Sequence, residues 1–353
     1  MRYRRDLGDN GSSVGLIYTG REGAEYSNRV GGADALIRLT DADSLRTQVL
    51  VSREQYPRAV ADEMDERRDA FGGAAYGFLY QHETRNWAWE LKHGALSPEL
   101  RLDSGFESQV GVRNAEAGIE RKFFGGPKRW FNQITIGASG DRSENWEGHN
   151  VSYGCDFPIE YSGPRQMSIS YNPACNHETF EGKSYDNFRQ NANFSIRPSG
   201  SLSVGVNASW GGAIDFANSQ KADQLRFGGS TNFNIARGFE GNASYSYQKM
   251  TVAGGRLFTA QLFQFRGLYH LNLRTFVRAI VQFTDVDRNV SQYSSPVTAT
   301  SQRAFTQLLF SYKLNPQTVV LVGYSDNASG SVNYDLTRSD RTFFLKLGYA
   351  LVF

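Results

Sequence analysis

The chain has 353 residues, with 38 Lys and Arg against 36 Asp and Glu, two Cys, and 13% aromatic residues. Charge so nearly balanced points to no nucleic-acid partner, and no apolar stretch approaches the ~20 residues of a spanning helix. That second test does not reach β-barrels, whose strands alternate and give only a weak hydropathy signal.

The opening stretch MRYRRDLGDNGSS has no hydrophobic segment and does not read as a secretory signal. Either such a signal has been removed or the chain is a fragment. From residue 12 onward, segments with a two-residue apolar period recur. In chain order they predict strands at 12–20, 28–40, 44–53, 72–82, 86–94, 108–122, 128–139, 145–161 and 167–177. The series continues at 184–197, 201–211, 223–236, 238–250, 256–269, 273–286, 302–314, 316–326 and 340–353. That is about eighteen strands, with ends placed to within about two to four residues.

The two faces of these segments differ in kind. In LSVGVNASW, Leu202, Val204, Val206, Ala208 and Trp210 oppose Ser203, Gly205, Asn207 and Ser209. In LRTFVRAIVQF, Leu273, Val277, Val281 and Phe283 oppose Arg274, Arg278 and Gln282. No helical stripe with caps competes, so the fold class is all-β. Connections also alternate. Short ones (41–43, 125–128, 162–166, 197–200, 314–317) take turns with long ones (53–70, 94–106, 287–302, 326–340). Tight turns at one rim and long loops at the other are the organisation of an antiparallel transmembrane β-barrel of the bacterial outer membrane, with about 18 strands. Composition shows no break, so 1–353 reads as one barrel domain.

The apolar parity then faces lipid and the polar parity faces the lumen. Aromatic residues near strand ends (Trp87, Trp89, Trp130, Trp210, Tyr247, Tyr269, Tyr324, Tyr349) fit interfacial girdles. The terminal run KLGYALVF puts Phe343, Leu345, Leu347, Tyr349, Leu351 and Phe353 on one parity. A barrel strand in hydrocarbon needs partners for its backbone, so this strand is expected to pair with the first strand available.

KLGYALVF also resembles the C-terminal assembly signal of outer-membrane barrels, which implies that Lys346, Gly348, Leu351 and Phe353 are read by the barrel-assembly machinery. The stretches YRRDLGDNGSSVGLIYTGREG, NRVGGADALIRL, SYKLNPQTVVLVGYSDN and DRTFFLKLGY are similar to a family of large bacterial outer-membrane β-barrel proteins. Full-length members of that family carry an N-terminal domain like carbohydrate-binding module family 9. The resemblance implies that the first barrel strands and this domain lie upstream of Met1, and that a polysaccharide or small hydrophilic solute is handled.

Candidate functional residues fall on the lumen parity. Arg189, Arg197, Arg226, Arg266, Arg274, Arg278, Arg303, Lys313 and Lys346 lie on consecutive strands and are expected to form a basic wall. Such a wall either attracts anionic solutes or is neutralised by Glu90, Glu240 and loop carboxylates. Cys155 and Cys175 flank a tight turn on the apolar parity, where a cross-strand disulfide is feasible in an oxidising periplasm; otherwise they are small lipid-facing residues. Joining them to His149 and His177 in a metal site fails on reach, since six strand positions span roughly 20 Å. The five histidines (His82, His93, His149, His177, His270) stand beside no hydrolase motif, and the charge run at 61–70 reads as solvated loop.

No cofactor and no enzyme activity are therefore expected. The leading function is a porin-like channel for hydrophilic solutes. The alternative is a surface scaffold plugged by its loops, with 53–70 long enough to fold inward; a hydrolase ranks last.

Overall fold

The computed structural model describes residues 1–349 other than 106, 127–128, 236–237, 316–317 and 333–334. Its strands begin with β1 (Arg2–Leu7), β2 (Ser12–Gly23), β3 (Tyr26–Arg38) and β4 (Asp43–Gln55), followed by the short helix α1 (Arg58–Glu63). Then come β5 (Ala74–Glu83), β6 (Trp87–Leu96), β7 (Val112–Phe124), β8 (Gln133–Asn145), β9 (Asn150–Asp156), β10 (Ile159–Gly163) and β11 (Met167–Phe180). The series closes with β12 (Lys183–Ser199), β13 (Leu202–Asp215), β14 (Gln220–Ile235), β15 (Phe239–Val252), β16 (Gly255–Asn272), β17 (Thr275–Arg288), β18 (Thr300–Asn315), β19 (Thr318–Val332) and β20 (Asp335–Tyr349). All twenty belong to one sheet, and the recorded pairings are antiparallel.

Every expected strand is present, and the two additions have local causes. β1 lies in a stretch whose charges, Arg2, Arg4, Arg5 and Asp6, hide the alternation; its backbone pairs with β2 from Arg2↔Ile17 to Leu7↔Ser12. The expected strand 145–161 is interrupted at Pro158. β9 and β10 both pair with β11 in one continuous register, Asp156↔Ala174 and Ile159↔Tyr171. Proline withdraws a ladder donor there and splits one strand in two. A further correction concerns 326–340, expected as a long loop. β19 runs to Val332 and β20 starts at Asp335, paired at Asn327↔Asp340 and Ser329↔Thr337. The Asn, Ser, Gly and Asp residues that suggested a loop lie on a hairpin above the apolar band, where neither face needs to be hydrophobic.

Facing is set by register. Val277, Phe310, Val322 and Leu345 are mutual cross-strand partners on one side of β17–β20. Val206, Phe227, Phe263, Leu308, Phe310, Val322 and Leu345 are all more than a third exposed, Leu345 at 75%. An apolar face this large is rare on a soluble protein. It is what a lipid-facing wall requires, because backbone groups in hydrocarbon must be paired within the sheet. The fold is an antiparallel transmembrane β-barrel of the bacterial outer membrane. Tight turns mark the periplasmic rim, and the long connections 56–73, 97–111 and 289–299 lie at the extracellular rim. No helix is long and apolar enough to cross a membrane.

Two compact units are distinguished. The first comprises Met1–Phe123, Thr135–Pro158 and Ala174–Ser184; the second comprises Phe124–Ile134, Ile159–Pro173 and the chain from Tyr185 on. In each, buried apolar side chains gather at the loop rim. Ala61, Phe71 and Leu100 do so in the first unit, and Ala213, Ala222, Met250, Val252 and Leu257 in the second.

Candidate functional site

In the second unit the polar parity carries the cations. Arg226 lies opposite Ser209 and Gln248, Arg266 opposite Asn242 and Ile280, and Arg278 opposite Leu268 and Leu309. Arg303 lies opposite Thr284 and Ser329, Lys313 opposite Val319, Lys346 opposite Leu321, and Arg189 opposite Gly211. Register thus gives each cation neutral neighbours. Among the described residues, none of the nine expected wall residues forms an ion pair. Arg278 donates from Nη2 to Gln307 Oε1 at 2.9 Å, and its Nε is buried without a partner. Arg189 reaches only the Gly212 carbonyl, at 3.5 Å.

Two of the nine sit differently from expectation. Arg274 lies in the turn between β16 and β17, its carbonyl accepting from Lys313 N. Arg197 lies in the irregular stretch of β12 between Ile196 and Ser199. Arg288 joins the same face, opposite Phe258; it escaped the sequence reading because β17 runs two residues past its expected end. Carboxylates of this face include Glu160, opposite Ser170, together with Glu240 and Asp340, and Asp215 and Asp335 at the extracellular tips. Glu240 forms no ion pair with these cations among the described residues. With Arg197, Arg266, Asn232, Asn234 and Asn242 it lines a cavity of about 410 Å³, in which Asn242 donates to Asn232 Oδ1 at 2.9 Å.

The first unit differs in pairing. One of its cavities, about 830 Å³, is lined by Arg2, Arg4, Arg46, Lys92 and Arg142 together with Asp34, Glu116 and Asp141. Here cations and carboxylates meet, Arg2 with Asp34 at 2.9 Å and Lys92 with Glu116 at 3.4 Å. Lys346 and Gly348, two of the four residues expected from the terminal resemblance, lie on β20 opposite Leu321 and Val319. Leu351 and Phe353 lie outside the described residues.

Two long connections of the first unit fold onto its inner wall. Along β4, Ser52 and Glu54 are buried while Val51, Arg53 and Gln55 are exposed, because the segment 97–103 covers the inner parity. Leu100 is 1% exposed. Arg101 N donates to Glu54 Oε1 at 3.0 Å, and Asn28 Nδ2 donates to the Arg101 carbonyl at 3.0 Å. The Arg101 guanidinium bonds Glu66 Oε1 from Nε at 2.8 Å and the Pro98 and Leu100 carbonyls from Nη1 at 2.8 Å. Asp103 accepts from Tyr26 Oη at 2.6 Å and from Tyr56 Oη at 3.0 Å. Burial and the Asp103 carboxylate hold the Tyr56 phenol well above its ordinary titration range. The segment 53–70 packs against 97–103 through Glu66 and Tyr56, while Arg67 pairs with Asp69 and Arg68 with Asp62 inside the segment itself. In the second unit, 289–294 folds back on the strand tips, with Asn289 N bonded to Leu257 O and Ser294 Oγ to Asn218 Oδ1.

Cys155 and Cys175 stand directly opposite on β9 and β11 and are joined as a disulfide. They share the outward parity with Tyr153 and His177, whose rings stack at 4.6 Å. Among the described residues no group of three or more His, Cys, Asp or Glu is placed to hold a metal.

No protein-family model and no curated protein matches this sequence. Solved structures do resemble it. The ferric citrate transporter FecA in its unliganded form is 12% identical at a TM-score of 0.48, over 91% of this chain and 61% of the transporter. The chain thus spans less than two thirds of that protein's length. OccAB3 of Acinetobacter baumannii is 12% identical at a TM-score of 0.41, over 96% of this chain and 97% of that one. An anion-selective porin from Comamonas acidovorans is 12% identical at a TM-score of 0.39, over 79% and 90%. What this chain shares with them is the fold.

Proposed function

We propose that the protein is a porin-like channel for small hydrophilic anions. One observation carries the reading: the inner face of the second unit presents strand cations, from Arg189 to Lys346, with no ion pair among the described residues. An uncompensated basic wall raises the local anion concentration and sets the sign of selectivity. Arg forks suit carboxylate and phosphate groups. Amides such as Asn232 and Asn242 suit hydroxyls, so sugar acids belong to the class, in keeping with the family resemblance of the sequence. Planar bilayers containing the purified barrel are expected to show stepwise conductance. Under a salt gradient the reversal potential should take the sign of anion preference. Electrically silent, folded barrels, or cation preference, would overturn the proposal.

A second reading is favoured by the first unit, where 97–103 covers the inner parity of β3 and β4. In it the barrel is a scaffold closed by its loops, which bind glycans or partners. Deleting 97–110 separates the two. A channel gains conductance on deletion, whereas a scaffold loses ligand capture in glycan-array and pull-down screens.

A further inference from the structure

The outer surface of the first unit holds two arginines side by side. On β3, Asn28 and Val30 are buried and Arg29 between them is exposed; on β4, Ser52 and Glu54 are buried and Arg53 is exposed. Both arginines therefore point away from the lumen, and they are direct cross-strand partners. Like charges directly opposite repel. Glu22 compensates one of them, 2.8 Å from Arg29 Nε. Arg53 makes no hydrogen bond or ion pair among the described residues.

Height along the wall gives the pair its meaning. Below it the outward parity of β4 runs Val51, Val49, Thr47, Leu45 and ends at Asp43. There Tyr80 Oη and His82 Nδ1 lie 2.6 and 2.7 Å from Asp43 Oδ1, and His82 stacks on Trp89 at 3.6 Å. Ten residues at ~3.3 Å, tilted by ~40°, place Arg53 about 25 Å above that aromatic girdle, the height of a barrel's lipid-facing band. Arg29 and Arg53 thus stand where acyl chains give way to headgroups, on the side of the long loops.

The second unit repeats the arrangement on β19 and β20. Arg338 Nε lies 3.0 Å from both oxygens of Asp326, and Arg341 Nε lies 3.7 Å from the same carboxylate. Two guanidiniums share one acid, directly above Tyr324, Phe343 and Leu345 on the outward parity.

We propose that these two outward arginine pairs bind the phosphate groups of the glycolipid that forms the outer leaflet. A guanidinium fork grips phosphate oxygens bidentately, and each pair holds one cation beyond its carboxylate. The exposed apolar wall beneath them, Val49 and Val51 in one unit and Phe343 and Leu345 in the other, lies where the ligand's acyl chains would run. A free phosphate ion gains nothing from that wall, so a lipid is the occupant. The inference is independent of conduction.

The test uses the full chain refolded into vesicles containing bisphosphorylated lipid A or its dephosphorylated form, then extracted in mild detergent for native mass spectrometry. The wild type is expected to retain the phosphorylated lipid roughly tenfold better than the dephosphorylated one. The double variant Arg53→Gln/Arg341→Gln should lose that difference while keeping heat-modifiable migration. If the double variant does not fold, Arg53→Gln and Arg53→Lys are compared singly; Gln should lower retention and Lys, which keeps charge but not the fork, should restore part of it. Equal retention of both lipids by the wild type overturns the proposal. So does unchanged retention by the folded Gln variants, or displacement of the lipid by millimolar inorganic phosphate.

Discussion

Arg101, with the Tyr56–Asp103 bond, joins the two long loops of the first unit to each other, and Arg101→Met should loosen the segment 97–103 without disturbing the sheet. Arg101 and Glu66 side chains are 26% and 19% exposed, which places the pair between a solvent-exposed bridge, at about 0–1 kcal/mol, and a buried one, whose breaking costs about 3–5 kcal/mol. Methionine keeps the stem volume but removes the bond to Glu66 and both bonds to the Pro98 and Leu100 carbonyls. A loss of about 2–3 kcal/mol follows, or a rise of roughly 30- to 150-fold in the opened population of the loop. Hydrogen exchange at the amides of 99–104, with chymotryptic cleavage after Leu100 or Leu102, reads that population. Heat-modifiable migration should be unchanged, since no strand pairing involves these residues. Glu66→Gln should give a smaller effect, because the carbonyl bonds remain and the amide can still accept. If exchange and cleavage in the Met variant match the wild type, the loop is held by Leu100 and Asp103 alone, and the role assigned to Arg101 is wrong.

Substituting Arg266 and Arg278 together by Gln should reduce anion preference in bilayers by roughly half, since two uncompensated charges leave the wall; an unchanged reversal potential counts against a selective role for these cations. Cys155→Ser should lower the unfolding free energy by about 3 kcal/mol through the chain-closure entropy of the bridged loop, measured by urea titration in vesicles, with identical midpoints for oxidised and reduced wild type as the contrary result. Tyr56 titrates above its ordinary range because burial, then Asp103, disfavours its phenolate. The sign is that of a raised pKa: the stabilisation is complete below the unfolded value near 10 and is lost as pH rises beyond it. Protease resistance of 97–103 should therefore fall in alkaline buffer, and a flat profile from neutral pH to beyond 10 would contradict it. Tyr56→Phe should weaken the loop at neutral pH, because Asp103 keeps only the Tyr26 bond and the Arg21 contact to its carbonyl.

The sheet was legible because membrane strands obey a single rule, alternation, with no competing helical period. Where that rule is relaxed the reading fails in a consistent direction. Arg2–Leu7 and the 326–340 hairpin are strands made of residues that suggest loops. In β1 the charges of Arg2, Arg4 and Asp6 fall on the inner parity, and in the hairpin backbone pairing alone is enough to form a ladder beyond the apolar band. Pro158 was visible as a residue, but its consequence depends on β11 spanning the break, which no local pattern states.

The site is a harder case, because parity tells which way a side chain points and not what stands beside it. That Arg226, Arg266 and Arg303 share a face follows from their positions in alternating segments. Whether Glu240 neutralises them depends on register across β14, β15 and β16, and one residue of slip would move the whole face. The observed register puts Asn234 and Leu268 opposite Glu240, and Asn242 opposite Arg266, so Glu240 stands diagonally from Arg266 in a shared cavity rather than directly opposite it. In the first unit the same chain chemistry gives the opposite result, with Asp34 within reach of Arg2 and Glu116 within reach of Lys92. Among the described residues, cation–carboxylate pairs thus occur on the inner face of the first unit at Arg2 and Lys92, and none involves the expected wall residues of the second. That difference in pairing, invisible to net charge, is what the proposal of a selective face in the second unit rests on.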